Sequence, residues 1–441
     1  FLQNGSRPIL PQMRAGNPQA YLGGVTMSEY VIIGNGVAAV GCVEGVRSID
    51  KTSPITVVSE EPYPVYGRPL ISYYLEKKTT LDKMNYRKPD FYSSNGCRVL
   101  YGKKAVKIDK DEKNILLDDR TVLPYTSVCV ATGSAPFIPP IKGLETVQNK
   151  FSFMTLNDTL SLEKVLTKDS KVLIVGAGLI GLKCAEGISG RVGSITVCDL
   201  ATRVLSSILD EECAALMQAR LEENGIKFML GDTATEFNGN KATMKSGATV
   251  EFDILVMAVG VRANTTLVGE LGGEVNRGIL VNEQMQTSLS DVYAAGDCTE
   301  GMDISLGDRR VLAILPNAYM QGHTAGVNMA GGNEVFDKAI PMNSIGFFGL
   351  HAITAGSYFG ESDGGEMYEE KGNGTLKRLF TKDGVLTGFI LIGQVERAGI
   401  YTSLIREKVP IDTINFDILK KNPTLFAYSQ NQRRKMLGGV V

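Results

Sequence analysis

Two glycine-rich turns, one near the start of the chain and one in its middle, constrain the possible folds more than any other feature. Each turn follows an apolar, β-branched run that predicts a strand, Tyr30–Ile33 or Lys171–Val175, and each leads into a helical pattern. The turns themselves are Gly34-Asn35-Gly36-Val37-Ala38-Ala39 and Gly176-Ala177-Gly178-Leu179-Ile180-Gly181. Strand, glycine turn and helix form the start of a βαβ unit, so two copies predict an α/β fold with two parallel sheets.

Each copy continues into a second predicted strand that ends on an acid, roughly 20 residues beyond the glycines. Strand Ile55–Val58 leads to Glu60, and strand Ser194–Cys198 leads to Asp199. In a dinucleotide-binding unit the glycines allow a tight turn and close approach of phosphate, and the acid accepts hydrogen bonds from ribose hydroxyls. A pyrophosphate would meet the unpaired N–H groups and the partial charge of about +0.5 at the helix N-terminus. We therefore predict two dinucleotide sites, formed by Gly34, Gly36, Val37, Ala38 and Glu60, and by Gly176, Gly178, Leu179, Ile180, Gly181 and Asp199.

The order of the later motifs resembles that of the FAD-dependent pyridine nucleotide oxidoreductases, from about residue 29 to residue 340. Val130-Ala131-Thr132-Gly133-Ser134 precedes a proline-rich crossover, and Val292–Asp297 follows Thr287. The segment Tyr66–Ser72 is similar to that of rubredoxin, ferredoxin and nitrite reductase flavoproteins. The resemblance implies a glutathione reductase-like fold, with two Rossmann-like dinucleotide-binding domains and a small α+β C-terminal interface domain.

The resemblance also implies that the first turn binds FAD and the second binds NAD(H). It suggests Glu60 on the adenosine ribose, Arg68 near the flavin and Asp297 on the ribityl chain. Residues 311–330 predict a helix that begins near Pro316, and in the family such a helix directs its N-terminus at the flavin pyrimidine edge. A plain packing helix is the alternative. The other positions implied for FAD are Pro69, Val106, Ala131, Thr132, Gly133 and Gly296, and Gly260 is implied for the nicotinamide dinucleotide.

Asp199 bears on which nicotinamide dinucleotide is used. A 2′-phosphate of charge near −1.5, about 5 Å from a carboxylate, is repelled by several kcal/mol at an effective dielectric of about 20. We therefore expect NADH to be preferred over NADPH. Arg203, four residues further along, is close enough in sequence to reach a phosphate and opposes that expectation.

The cysteines depart from the pattern of disulfide reductases, which need a cysteine or a pair beside the flavin. All seven are scattered without a paired spacing, and none lies between residues 60 and 96. Cys42 and Cys298 each follow a glycine motif singly. Neither a redox dithiol nor a metal site is predicted.

A second departure concerns the positions after the Arg-Pro segment and after the third glycine of the second turn. Relatives of the ferredoxin reductase type usually carry a lysine and a glutamate there, whereas this chain carries Tyr73 and Lys183. We hypothesise that Lys183 is the catalytic cation near the flavin and that Tyr73 is its hydrogen-bond partner. A solvent-facing lysine is the alternative.

We predict a discontinuous FAD-binding domain over residues 27–148 and 270–340, and a NAD-binding domain over residues 149–269. Residues 341–441 form the C-terminal interface domain and tail, and residues 1–26 form a flexible extension rich in Gly, Pro, Asn and Gln.

The interface domain is predicted to contain strands at 345–348, 376–381 and 385–392, with a hairpin turn at Lys382-Asp383-Gly384 and a helix from about 395 to 408. The tail carries basic residues among aromatic ones, and either docks an acidic partner or is solvated.

Charge and hydropathy exclude other classes of function. The chain has 46 basic and 48 acidic side chains, a net charge of −2, and so no overall field for nucleic acid or an anionic membrane. No apolar run approaches the roughly 20 residues that span a bilayer, and we expect a cytoplasmic protein.

Together these features predict an NADH-dependent flavoprotein that transfers hydride between NAD(H) and FAD, and single electrons between FAD and an external carrier. A rubredoxin or a ferredoxin-like iron-sulfur protein or subunit is the expected partner, and the chain is expected to be a homo-oligomer or a subunit of a complex. The alternatives are an NADH oxidase, peroxidase or disulfide reductase, and a flavin-dependent redox sensor or scaffold subunit.

Overall fold

The computed structural model of the protein describes residues 29–357 and 364–437. It has the predicted α/β fold, with two parallel sheets and a C-terminal antiparallel sheet. The predicted flexible extension lies outside the described residues. Among the described residues, no helix combines the length and the apolar character needed to cross a membrane.

The first domain is built on a five-stranded parallel sheet whose central strand is fully buried, as expected where helices cover both faces. In spatial order its strands are β19 (Val292–Ala294), β7 (Ser127–Val130), β1 (Tyr30–Ile33), β2 (Ile55–Ser59) and β3 (Cys97–Tyr101). The helices of this part of the chain are α1 (Val37–Ile49), α2 (Leu70–Leu75), α3 (Phe91–Ser94), α7 (Thr266–Gly269) and α8 (Leu315–Met329). Two small sheets complete it: β4 (Ala105–Asp109), β5 (Asn114–Leu117) and β6 (Val122–Pro124), and β18 (Ile279–Leu280), β20 (Thr299–Asp303) and β21 (Asp308–Arg310).

The second domain repeats this plan in the middle of the chain. Its parallel sheet contains β12 (Ile226–Leu230), β11 (Ser194–Asp199), β10 (Lys171–Val175), β16 (Ile254–Met257) and β9 (Lys150–Phe151), in that order. Its helices are α4 (Leu156–Glu163), α5 (Leu179–Ile188) and α6 (Glu211–Glu223), and its small antiparallel sheet contains β13 (Ala234–Asn238), β14 (Lys241–Met244) and β15 (Thr249–Glu251). The two domains are joined by β8 (Ser134–Pro136), which pairs antiparallel with β17 (Val261–Ala263).

Helices α1 and α8 pack with their backbones almost in contact, because glycines face each other across the pair. A Cβ built on Gly322 would lie 2.0 Å from the carbonyl oxygen of Ala38, and one on Gly326 would lie 2.1 Å from that of Cys42. Gly45 makes the reciprocal approach, at 2.1 Å from the carbonyl oxygen of His323. Any larger side chain would separate the helices, so these glycines fix α8 against the start of α1.

The C-terminal domain is a five-stranded antiparallel sheet whose middle strand, β26 (Val385–Ile392), is buried on both faces, whereas its edge strand, β24 (Glu366–Gly372), is mostly exposed. Its order is β22 (Met342–Phe347), β23 (Leu350–Gly356), β26, β25 (Thr375–Lys382) and β24, followed by α9 (Ala398–Arg406), α10 (Phe416–Lys421) and α11 (Gln430–Leu437). Side chains of β26 alternate: Ile390 and Ile392 join the core of the second domain, while Phe389 and Leu391 pack with α9.

The predicted hairpin between β25 and β26 is confirmed. Asp383 and Gly384 both have positive φ, 51° and 74°, as a two-residue hairpin turn requires. The sequence predicted three of the five strands and missed β23 and β24. The predicted domain boundaries stay predictions.

Candidate functional site

The two glycine turns adopt the same backbone conformation. Gly34 and Gly176 both have φ of 117°, which is strongly unfavourable for other residues. A Cβ on Gly34 would lie 2.1 Å from the carbonyl oxygen of Ala131, and one on Gly176 would lie 2.2 Å from that of Ala258. Each first glycine is therefore required by the close approach of its turn to the neighbouring strand.

The second glycine of each turn leaves an open cradle at a helix N-terminus. Gly36 and Gly178 are the N-caps of α1 and α5, and a Cβ on either would have no atom within 4 Å among the described residues. The first helical hydrogen bonds are donated by Val40 and Leu182, so the N–H groups before them lack helical partners. No described side chain caps either helix, and neither first turn contains an acid. Both cradles therefore fit a pyrophosphate.

The next residues of the turns lie at the beginning of each helix. Val37 and Ala38 are buried, whereas Leu179 and Ile180 are half-buried. A Cβ on Gly181 would lie 2.0 Å from the carbonyl oxygen of Gly176, so the third position of the second turn requires glycine. The first turn accommodates a fully buried Ala39 at the equivalent position.

The predicted ribose-binding acids lie beside their turns. Glu60 directly follows β2, is exposed and forms a 3.0 Å ion pair with Lys104. Asp199 is the last residue of β11, and its carboxylate accepts hydrogen bonds from the N–H groups of Ala177 (2.7 Å) and Ala201 (2.8 Å). Each carboxylate oxygen has further acceptor capacity for a ribose hydroxyl.

Arg203 does not approach Asp199 by a hydrogen bond or ion pair in the structure. Its Nε donates to the carbonyl oxygen of Leu209 at 3.1 Å, and its Nη2 donates to that of Ser206 at 3.3 Å. The guanidinium is thus bound to its own loop.

Arg68 is held in place by a residue that the sequence did not single out. Its Nη2 forms an ion pair with Glu61, and its Nη1 donates to the carbonyl oxygen of Met154 at 3.1 Å. Pro69, the N-cap of α2, follows it. Burial raises the pKa of Asp297, and the nearby positive charge of Arg68 opposes this increase. Arg68 and Asp297 therefore lie close enough to interact, as the resemblance implied for two groups near one cofactor.

The loop that carries Asp297 is tied to α8. Gly296, with φ of 83°, donates its N–H to Oε1 of the buried Gln321 at 2.8 Å. The predicted helix start is confirmed, because Pro316 lies in the first turn of α8. The next residue, Asn317, is fully buried, and its Oδ1 has no hydrogen-bond partner among the described residues. An unmatched acceptor beside Pro316 fits a bound polar group at this end of the helix.

The segments that cross between the domains meet at the predicted Ala131, Thr132, Gly133 and Gly260. Thr132 and Asn264 exchange hydrogen bonds: Oγ1 donates to the Asn264 carbonyl oxygen at 3.0 Å, and Nδ2 donates back at 2.8 Å. Gly133 and Gly260 have positive φ, and a Cβ on either would meet nothing within 4 Å in the described part of the chain. This open backbone leaves room for a ligand between the two domains.

Val106, the remaining position implied for FAD, lies on β4. A β-bulge between Ala105 and Lys107 displaces it, and it is 41% exposed. Its assignment to the FAD site stays a prediction.

Lys183 and Tyr73 do meet, but the predicted hydrogen bond between them is wrong. The Lys183 ammonium donates to Glu186 and to the carbonyl oxygen of Gly346, both at 2.6 Å. It lies 5.4 Å from the centroid of the Tyr73 ring and 4.8 Å from that of Phe347, which is cation–π geometry. The phenol ring of Tyr73 and not its hydroxyl makes the contact, because two stronger acceptors hold the ammonium.

Glu186 is the residue of this cluster that the sequence did not reveal. It is 7% exposed, pairs with Lys183, and accepts a 2.8 Å hydrogen bond from the N–H of Phe348. The spacing of three residues from Lys183 on one helix was the only available signal.

Two of the cysteines are neighbours: the thiols of Cys42 and Cys129 are in hydrogen-bond contact, and this contact together with burial raises the pKa of Cys129 well above its usual value. Six of the seven are buried, including Cys42 and Cys298. Cys298 donates to the carbonyl oxygens of Val130 and Ala295, both at 3.3 Å, and burial raises its pKa to about 12. The half-buried Cys97 has a pKa raised to about 11, mainly by burial. Thiolates are the reactive form, so the raised pKa lowers the reactivity of Cys298 and Cys97 at neutral pH.

Comparison with known proteins agrees with this architecture. Residues 28–322 match the family described as pyridine nucleotide-disulphide oxidoreductase. The chain is 31% identical, over 87% of its own length and 93% of the relative's, to the NADH-dependent phenylglyoxylate dehydrogenase subunit epsilon of Aromatoleum evansii. It is 30% identical over 89% of its length to the nitrite reductase [NAD(P)H] of Bacillus subtilis strain 168, of which it spans about half (49%).

The fold is similar to that of a solved reductase. The structure superposes with a TM-score of 0.82 and 21% identity on a chain of the covalent putidaredoxin reductase–putidaredoxin complex, covering 93% of this chain and 98% of that one.

Proposed function

Because the chain belongs to the pyridine nucleotide-disulphide oxidoreductase family, and is therefore an FAD- and NAD(H)-dependent oxidoreductase, we propose that it carries electrons between NADH and an external iron-sulfur protein. The observation that supports this proposal most is the duplicated cradle: two glycine turns with the same φ at the first glycine, each open at a helix N-terminus and each beside an acid. A protein with two such cradles can hold two dinucleotides at once.

FAD, when bound, accepts a hydride from a nicotinamide and releases electrons singly. In our proposal the turn at Gly34 and Gly36 holds the FAD pyrophosphate, and Glu60 binds the adenosine ribose. Asp297 and Arg68 bind its flavin half. The turn at residues 176–181 holds the pyrophosphate of NADH.

The dinucleotide admitted by the second turn is proposed to be NADH. The Asp199 carboxylate accepts two backbone N–H hydrogen bonds, which hold it beside the second glycine turn, where a ribose lies in this proposal. Arg203 is bound to the carbonyl groups of its own loop, so it does not neutralise this charge. A 2′-phosphate would therefore be repelled.

A one-electron carrier is proposed as the partner because the described residues offer no exposed pair of cysteines to pass electrons to a substrate, and the neighbouring Cys42 and Cys129 are both buried. All seven cysteines are described, and none is exposed. The relatives named above include a subunit of a dehydrogenase and a reductase in complex with putidaredoxin, which supports a carrier or an iron-sulfur subunit. We propose a cytoplasmic location, which agrees with seven free cysteines.

The assignment of the two turns can be tested by matched substitutions. Gly36 and Gly178 have negative φ and open space around an added Cβ, so valine at either position is compatible with the fold. We expect Gly36→Val to purify with little FAD. Gly178→Val should retain FAD and lose at least tenfold in the rate of flavin reduction by NADH.

The measurements are the flavin content of the purified protein and the anaerobic bleaching of flavin absorbance by NADH in stopped flow. Reoxidation is then followed with a ferredoxin, a rubredoxin or oxygen. Loss of FAD in Gly178→Val would reverse the assignment. Fast reoxidation by oxygen alone would favour an oxidase, and very slow reduction by NADH would favour a sensor.

A further inference from the structure

The junction between the three domains contains a cluster in which one buried carboxylate, that of Glu186, pairs with the ammonium of Lys183. A second ammonium, that of Lys78, lies within electrostatic range of Glu186 and forms its own ion pair with Glu76. The cluster comprises Lys183 and Glu186 on α5, Tyr73 on α2, and the Phe347–Phe348 turn between β22 and β23. Its position follows from the chain: α2 comes directly after Arg68 and Pro69, and α5 directly after the second glycine turn. The two helices are in contact, since a Cβ on Gly187 would lie 3.0 Å from the carbonyl oxygen of Ser72.

Glu186 makes two contacts that bind the turn to α5. One carboxylate oxygen accepts from the Lys183 ammonium at 2.6 Å, and the other accepts from the N–H of Phe348 at 2.8 Å. Lys183 in turn donates to the carbonyl oxygen of Gly346, on the far side of the same turn. Glu186 and Lys183 thus hydrogen-bond to the backbone on both sides of the turn between β22 and β23.

The backbone of this turn is strained, so it needs stabilising contacts. Phe348 has φ of 47° and the following Gly349 has φ of 83°. A bulky residue in the left-handed region is strained, and it persists when surrounding contacts hold the backbone in that conformation. The Glu186 carboxylate supplies such a contact at the N–H of the strained residue itself.

We propose that Glu186 is a positioning residue for hydride transfer: it fixes Lys183 between the Tyr73 and Phe347 rings and sets how much of the ammonium's charge reaches the flavin. The proposal rests on the proposed function, in which FAD lies beside Arg68 and the nicotinamide beside α5. With Glu186 ionised, the pair is close to neutral as seen from a distance. Without that carboxylate, the ammonium is uncompensated, and an uncompensated cation stabilises the more negative, reduced flavin.

The inference is tested by the flavin midpoint potential of the FAD-loaded enzyme, measured anaerobically against a dye of known potential. Glu186→Gln keeps the shape and can still accept the Phe348 N–H, but removes the charge. We expect it to favour reduction by about tenfold, which is about +30 mV for a two-electron couple. Lys183→Met leaves the Glu186 carboxylate uncompensated and should shift the potential the opposite way, whereas the double variant removes both charges and should return close to the wild-type potential.

The chain offers a matched control in Glu212, on α6. Its carboxylate pairs with Arg378 and Lys371 of the C-terminal sheet, so Glu212→Gln also removes one charge from a contact between the second domain and that sheet. We expect the equilibrium constant for flavin reduction in Glu212→Gln to stay within twofold of the wild-type value. An equal shift in Glu212→Gln would mean general loosening and would overturn the proposal.

Other results would also contradict either the role of Glu186 or the proposed function. An unchanged potential in Glu186→Gln, or a shift that persists in the double variant, would contradict the inference. If Glu186→Gln fails to retain FAD, Lys183→Met decides alone, and no change in its potential refutes the proposal. If wild type binds no FAD or is not reduced by NADH, the proposed function itself fails. If NADH reduces the flavin normally and the potentials of the variants equal that of wild type, only the proposed role of Glu186 is refuted.

Discussion

Gly322→Ala should destabilise the first domain and weaken FAD binding together. The added Cβ would stand 2.0 Å from the carbonyl oxygen of Ala38, whereas C···O contacts in proteins begin at about 3.3 Å. The helices must therefore separate by roughly 1 Å, and α1 must move where it begins, at the first glycine turn, which we propose binds FAD. Neither neighbouring atom belongs to a flexible side chain that can yield.

The expected free energy is a difference of two terms. Alanine is favoured over glycine in a helix by about 1 kcal/mol, whereas overpacking costs about 1–3 kcal/mol and more when backbone must shift. We expect a net loss of roughly 2 kcal/mol in the free energy of unfolding, and a tenfold or larger rise in the Kd for FAD. Urea unfolding followed by circular dichroism gives the first quantity, and titration of apoprotein with FAD gives the second.

The matched control is Gly399→Ala in α9. This helical glycine is exposed, and a Cβ there would meet nothing within 4 Å in the described structure. The control should be neutral or stabilising by up to about 1 kcal/mol, with FAD affinity unchanged. If Gly322→Ala unfolds at the same urea concentration as wild type and binds FAD equally well, the close packing of α1 and α8 does not act as described.

Two further predictions concern the carboxylates of the candidate site. Asp199→Asn combined with Leu200→Arg, at a position 61% exposed beside the ribose site, should raise the NADPH-to-NADH ratio of kcat/KM by about 100-fold, because a repulsion of roughly 3 kcal/mol becomes an attraction. An unchanged ratio would place the adenosine ribose elsewhere. Asp297→Asn should make the FAD-free protein more stable at pH 7, since burial raises the pKa of Asp297 and disfavours its ionised form. The lower stability of the wild type relative to the variant should disappear as pH falls through the raised pKa of Asp297. The variant should also bind FAD at least tenfold more weakly. Thermal unfolding as a function of pH measures the first effect, and titration with FAD measures the second.

The parts of the fold that local chemistry dictates were predictable from the sequence. The glycines at 34 and 176 indicate their turns in the sequence because no other residue fits there: φ is 117°, and an added Cβ would lie about 2 Å from a carbonyl oxygen. Pro316 marked the first turn of α8, and Asp383-Gly384 marked a hairpin, for similarly local reasons. The strand β24 (Glu366–Gly372) was missed because its residues are mostly exposed and charged, without the alternation that indicates a half-buried strand.

The side-chain partners were less predictable, because they depend on contacts between distant segments. Glu186 acquires its role from Phe348, 162 residues away along the chain. Lys183 was identified by its place after the glycine turn, yet the geometry of its contact with Tyr73 was not, since the competing acceptor Gly346 belongs to another domain. Glu61, which pairs with Arg68, was passed over beside the better-placed Glu60.

The close pairing of α1 with α8 also determines when the first domain can be completed as the chain is synthesised. Tyr319 on α8 donates to Glu44 on α1 across 275 residues of sequence, so the glycine face of α1 waits for its partner while the whole second domain emerges from the ribosome. The second parallel sheet has all its strands between residues 150 and 257 and can close first. Newly made chains should therefore pass through a stage in which the second domain is folded and the first domain still exposes an open surface to chaperones. Supply of FAD would then act on the last step of folding and not on the first.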